Sequence, residues 1–148
     1  MTPEEFERKI KENAGQIKRA IDRTIPVKAG RAAKDHFQEN FKKSGFVNNG
    51  LHPWTRSKRI GTAKDSAGSY GTLLSGRNHL YSSINYKPER GKVTISNEVP
   101  YARVHNEGLR AGRGRGFKMP KRQFIGESRE LTKKVEEIIE TEIGKILR

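Results

Sequence analysis

Apolar residues recur at helical spacing over long stretches only near the two ends of this chain, so any fold it adopts is framed by terminal helices. Phe6, Ile10, Ala14, Ile17 and Ile21 follow one another at intervals of four, four, three and four, which places them on one helix face. Thr2 followed by Pro3, Glu4 and Glu5 is a helix start: a capping hydroxyl, a proline at the first helical position, and acids against the positive end of the helix. Pro26 is expected to break or bend this helix, because proline disfavours helical backbone in the residue before it. A second helix, or the second limb of one bent element, follows, with Val27, Ala33, Phe37 and Phe41 facing inward, and ends near Ser44-Gly45. At the other end Pro120 is expected to open the last helix. There Phe124, Leu131, Val135, Ile138, Ile139, Ile143, Ile146 and Leu147 repeat at threes and fours.

The middle has different chemistry. Residues 44–72 read as irregular, with Asn48-Asn49-Gly50, His52-Pro53, Gly61 and the stretch Ser66 to Gly71 supplying turns. Trp54, the lone tryptophan, is expected to anchor this loop rather than meet a ligand, because an indole gives a short segment much apolar area to bury. Leu73-Leu74-Ser75-Gly76 leads through Leu80 to a hairpin. Residues 82–86 and 92–96 alternate at period two, and Pro88-Glu-Arg-Gly91 supplies the turn. Two strands alone are marginal, so a third strand, for which 116–119 is the candidate, or packing on the helices is required. After Pro100 a short helical turn carries Tyr101, Val104 and His105 and stops at Gly108. The run from Leu109 to Phe117, with glycine at 112, 114 and 116, reads as a mobile loop.

These readings assemble into an α+β fold. Long N- and C-terminal helices pack on a small antiparallel β-sheet, with a long irregular loop and a flexible Gly/Arg loop. With 148 residues the chain is read as one domain: N-terminal helices over 1–43, the irregular loop over 44–72, the hairpin and basic loop over 73–119, and the C-terminal helix over 120–148. Apolar and charged residues each make up 32% of the chain, so the core will be thin and a neighbouring subunit is expected to complete part of it. Without cysteine there is no disulfide framework and no thiolate metal site. No apolar run approaches about 18 residues and the amino terminus has no hydrophobic signal core, so neither membrane spanning nor secretion is expected.

Charge is unevenly placed. Residues 1–50 carry 11 basic and 7 acidic side chains and residues 127–148 carry 5 and 6, whereas 51–126 carry 15 and 4, a net of +11. The ends read as solvated helix faces; the middle favours a polyanion or an acidic partner. Its densest part holds Arg110, Arg113, Arg115, Lys118, Lys121 and Arg122 with no acid among them. Three readings stay open for this loop: sequence-independent contact with nucleic-acid phosphates, ordering against an acidic protein neighbour, or a solubilising tip. With Phe117 as its one aromatic residue, base stacking has little support.

His105-Asn106-Glu107 is the one cluster that passes for an active site. Metal-dependent hydrolysis there needs further ligands. His36, His52 and His79 are scattered, and no H-E-x-x-H, cysteine pair or aspartate cluster accompanies them. No catalytic, metal-binding or cofactor-binding residues are therefore assigned. His105 and Asn106 are read instead as bonding backbone groups where the turn ends.

Taken in order, several blocks resemble the phage virion morphogenesis, or tail-completion, family of Mu-like and P2-like phages and prophages. They are the phenylalanine helix (Phe37, Phe41), Pro53-Trp54-Thr55, and Leu73-Leu74-Ser75-Gly76 with Leu80 and Ser83-Ile84. Then come Tyr101-Ala102 with His105 to Gly108, and Met119-Pro120 with Arg122-Gln-Phe124-Ile125-Gly126. Asn106 stands where the family commonly has glutamine, and the long Gly/Arg loop is a second departure. The resemblance implies a structural, non-enzymatic protein with Trp54, Tyr101, His105, Gly108, Pro120 and Phe124 as its framework. It further implies a ring, often sixfold, that works in the bacterial host cytoplasm during assembly and ends in the virion neck or tail. Its partners would be copies of itself and tail-tube, tail-terminator or head-connector proteins, with non-specific DNA contact as an added role and no membrane partner.

Overall fold

A capping box opens the chain. The Thr2 hydroxyl accepts from the Glu5 N–H at 3.1 Å, and the Glu5 carboxylate accepts from the Thr2 N–H at 2.9 Å. The computed structural model describes residues 1–58, 60, 71–75 and 78–148. Helix α1 spans Pro3–Glu12, α2 Ala14–Arg19 and α3 Ile25–Lys43. Of the outcomes expected at Pro26, a break or a single distorted element, the second is found: a π-helical turn over Ala20–Thr24 absorbs the proline and the backbone stays helical through it. A proline ring collides with the carbonyl four residues back, here that of Asp22, and leaves it without its helical donor. Widening the turn relieves both problems: the Ile25 N–H reaches back five residues to the Ala20 carbonyl, and the Asp22 carbonyl accepts from the Gly91 N–H at 3.4 Å.

Gly91 belongs to a hairpin, so the proline irregularity is also where the hairpin attaches. Strands β3 (Ile84–Glu89) and β4 (Lys92–Asn97) pair antiparallel and lie along α3. Gly30 permits their closest approach: a Cβ there would stand 2.5 Å from the Tyr86 ring and 2.8 Å from Val93. Two further ribbons are β1 (Gly45–Val47) with β2 (Leu51–Pro53) and β5 (Arg110–Ala111) with β6 (Phe117–Lys118). The fold is α+β, but among the described residues the strands form three separate two-stranded ribbons and not one sheet. Phe117-Lys118 pairs with β5, not with the β3–β4 hairpin, so the expected third strand is not supplied from there. The Gly/Arg run is accordingly a tight hairpin and not an open loop. Gly112, Gly114 and Gly116 supply the positive φ angles of its turn.

The last helix, α6, covers Arg129–Leu147 and starts nine residues later than Pro120. Its N-cap is Ser128, whose hydroxyl accepts from the Leu131 N–H at 3.3 Å. Two short helices, α4 (His79–Ser82) and α5 (Ala102–Glu107), flank the β3–β4 hairpin in sequence. Of the expected loop, Gly61 and residues 66–70 lie outside the described residues, as does Gly76.

The core gathers Ala33, Phe37 and Phe41 of α3 with Phe46, Trp54, Leu80, Ile84, Val99, Ala102 and Phe124. Phe41 is wholly buried at its centre, with ring centroids 5.2 Å from Phe124, 5.6 Å from Trp54 and 5.9 Å from Tyr81. Val27, expected inside, is exposed, and α1, α2 and α6 contain no buried residue. Phe41→Ala should cost about 3–5 kcal/mol. Urea unfolding measures it, and a loss under about 1 kcal/mol would place the core elsewhere.

Candidate functional site

The segment from Pro120 to Ser128 has no regular structure, yet it runs through the centre of the molecule. Side chains remote in sequence replace the missing ladder. Asn106 Oδ1 accepts from the Phe124 N–H at 2.8 Å and the Ile125 N–H at 3.0 Å, while its Nδ2 donates to the Ile125 carbonyl at 3.1 Å. Asn40, fully buried on α3, donates to the Phe124 carbonyl at 3.0 Å and accepts from the Val47 N–H at 3.3 Å. The Trp54 indole donates to the Gln123 carbonyl at 2.9 Å. Between these bonds Phe124 is held at 1% exposure.

The start of α6 is tied to the β1–β2 turn reciprocally. Glu130 accepts from the N–H groups of Asn49 (2.7 Å) and Gly50 (3.0 Å), and Asn48 Oδ1 accepts from the Arg129 N–H at 3.0 Å. Those two turn amides, Gly50 first, hold the Glu130 carboxyl below its ordinary value. The Ser128 hydroxyl donates to the Val47 carbonyl at 2.7 Å, so His36 Nε2, 3.0 Å from the Ser128 Oγ, must donate to that hydroxyl oxygen. His36 Nδ1 then accepts from Lys134 Nζ at 3.3 Å, which makes the imidazole neutral. Burial, and after it the Lys134 charge, holds the His36 pKa below 6.5.

His105 does not play the part expected of it. Its backbone carbonyl accepts from the Arg122 N–H at 2.8 Å, but its buried ring Nδ1 has no hydrogen-bond partner among the described residues. Asn106 bonds backbone, though at residues 124–125 and not at the end of the turn. Burial first, and Arg122 second, lower the His105 pKa. Tyr101 meets the His105 ring edge-on at 6.0 Å, in a cleft shared with Leu73, Leu74 and His79. Among the described residues no three His, Asp or Glu side chains are placed to grip a cation. Gly108 ends α5 at φ 70°, its N–H bonded to the Val104 carbonyl at 2.9 Å. Pro120 is exposed and, like Phe124, precedes α6 instead of belonging to it.

The six basic residues separate into two kinds. Arg110, Arg113, Arg115 and Lys118 are exposed on the β5–β6 hairpin, and Lys121 is exposed just beyond it. Arg122 is not a surface contact: it is 7% exposed and its Nε donates to the Thr55 carbonyl at 2.8 Å. Among the described residues no carboxylate pairs with Arg113, Arg115, Lys118 or Lys121, so their charge is open to a partner. Phe117 stands among them at 59% exposure.

The chain matches the phage virion morphogenesis family model over residues 7–144. It belongs to that family. No curated protein and no solved structure matches the chain significantly. The family's role is structural, in building the virion. No helix among the described residues is long and apolar enough to cross a membrane.

Asn40, Asn48, Ser128 and Glu130 escaped sequence reasoning. Asn40 alone left a signal, a poor helix former set on the apolar face between Phe37 and Phe41. Since the fold holds both His36 and His105 below their ordinary pKa of 6.5, the unfolded chain binds those protons more tightly. Their contribution should be complete above pH 6.5 and fall away as pH drops below it. Urea midpoints compared at about pH 7.5 and 5.5 should show the loss, and a His36→Gln/His105→Gln chain should show a flatter profile. An equal pH dependence in both chains would exclude the histidines as its source.

Proposed function

We propose that this protein is a ring-forming subunit that completes the tail or joins it to the head, assembling in the host cytoplasm and remaining in the virion neck or tail. The observation that carries this reading is the pairing of virion-morphogenesis membership with terminal helices that bury nothing fully. Phe6, Ile10 and Ile21 of the N-terminal stretch and Ile139 of α6 are each at least 37% exposed. A monomer gains little by keeping such faces wet, and packing against further subunits removes them from water. The role needs no catalyst and no cofactor: a subunit at this junction acts by contact with its own copies and with tail-tube, tail-terminator or connector proteins.

Native mass spectrometry of the purified protein, alone and with tail-tube and connector proteins, should show a closed oligomer, with six subunits the leading number. A strict monomer at high concentration, which also ignores those proteins, would reject the reading.

One feature favours a second reading, sequence-independent binding to nucleic acid. The unpaired cations of the β5–β6 hairpin suit phosphates as well as carboxylates. On that reading Arg113→Ala/Arg115→Ala lowers the slope of log affinity against log salt by about 0.9 for each duplex-DNA phosphate left unneutralised. An unchanged slope rejects the hairpin as a DNA-binding element.

A further inference from the structure

Two open surfaces of opposite charge lie on different described elements, and each carries an exposed apolar residue among its charges. On the β5–β6 hairpin, Phe117 stands with Arg110, Arg113, Arg115 and Lys118. On α6, Glu136, Ile139, Glu140 and Ile143 follow at intervals of three, one and three, which puts them on one face. The inner side of that helix is already occupied: Lys134 bonds His36, and Glu142 is paired with Lys28 and Lys145. Glu136 and Glu140 are exposed and have no ion pair among the described residues, Ile139 is 41% exposed and Ile143 is half-buried.

We propose that the basic hairpin of one copy docks on the outer face of α6 of the next copy, Phe117 against Ile139 and the arginines against Glu136 and Glu140. The inference rests on the ring reading and supplies its contact. The occupant is argued from complementarity in both charge and polarity. Duplex DNA would satisfy the cations but meets a phenyl ring only where base steps are unstacked, whereas α6 supplies carboxylates and an isoleucine together on an exposed face. The two surfaces differ, so the contact is head to tail, the kind that closes into a ring when the rotation per step allows. Turn glycines at 112, 114 and 116 let Arg113 and Arg115 project without helix or sheet to constrain them. Guanidinium groups suit this task because their planar forks pair with carboxylates bidentately.

Sedimentation velocity on charge-reversed chains tests the contact. Arg113→Glu/Arg115→Glu alone, and Glu136→Lys/Glu140→Lys alone, should each weaken self-association by more than about tenfold, since like charges then face each other across the interface. The chain carrying all four substitutions should recover it. All four positions are exposed, and circular dichroism verifies that each variant is folded. Because the protein has no cysteine, Phe117→Cys/Ile139→Cys provides an independent measurement. Oxidised, it should give a ladder of linked copies, and a mixture of the two single variants should stop at linked pairs. Normal assembly by the singly reversed chains, no recovery in the combined chain, or no ladder would overturn this docking while leaving the ring reading intact. Reversed hairpin residues that abolish DNA binding but leave assembly unchanged would assign the hairpin to nucleic acid and overturn it likewise. Wild-type protein that never associates, alone or with tail proteins, would sink both.

Discussion

The amides of Asn106 and Asn40, closing from two sides on the backbone of residues 124–125, hold the rest of the structure in register. A buried strand or helix satisfies its own peptide groups by pairing; a segment without pairing must borrow partners or suffer the cost of dry, unbonded N–H and C=O groups. Here two asparagines and an indole supply those partners, five hydrogen bonds over three residues. Phe124 can therefore enter the core beside Phe41 with its peptide groups satisfied. Through the same clamp α5, α3 and the Trp54 loop are tied to one point. Loss of either amide would strand polar groups in the driest part of the molecule, a heavier penalty than the loss of an ordinary surface bond.

The division of labour among charged groups follows from that centre. Arg122 faces inward to the Thr55 carbonyl, and Glu130 is held by turn amides. Their charges are consumed in building the fold. The hairpin cations and the outer carboxylates of α6 are left over, at two separated addresses on one chain. On the docking proposed above, surplus charge of opposite sign would give two copies a preferred orientation before they touch, and apolar residues at both addresses would supply the holding force afterwards.

Local patterns in the sequence are legible where local forces decide. The helix start at Thr2, the phenylalanine face of α3, the β3–β4 hairpin and the stop at Gly108 all depend on neighbours within a few residues, and all can be read. The hairpin strands, though, run 84–89 and 92–97 in place of 82–86 and 92–96 and take Pro88 and Glu89 out of the turn. The start of α6 cannot. Pro120 is a sound helix opener, but residues 120–127 find better partners in Asn106, Asn40 and Trp54, each far away in sequence, and the helix waits for Ser128. Pro26 marks an irregularity that can be read, but not its form: the carbonyl it orphans is taken by Gly91, some 70 positions on. The basic hairpin is visible as a composition, yet its pairing is not, because glycine spacing shows freedom without direction. Arg122 shares a charge with its neighbours, and only burial separates it from them.

Helix α6 has a property apart from docking. Every side chain on it keeps some exposure to water, while its first turn is anchored by Ser128, Asn48 and Glu130. Farther along, the helix is held by Lys28 on Glu142 and by Lys9 on the Leu147 carbonyl and gives no residue to the buried core, so opening there breaks those contacts without opening the aromatic centre. The chain thus pairs an aromatic heart with a yielding flank, and on the ring reading proposed above that flank is the part free to follow the curvature of a ring.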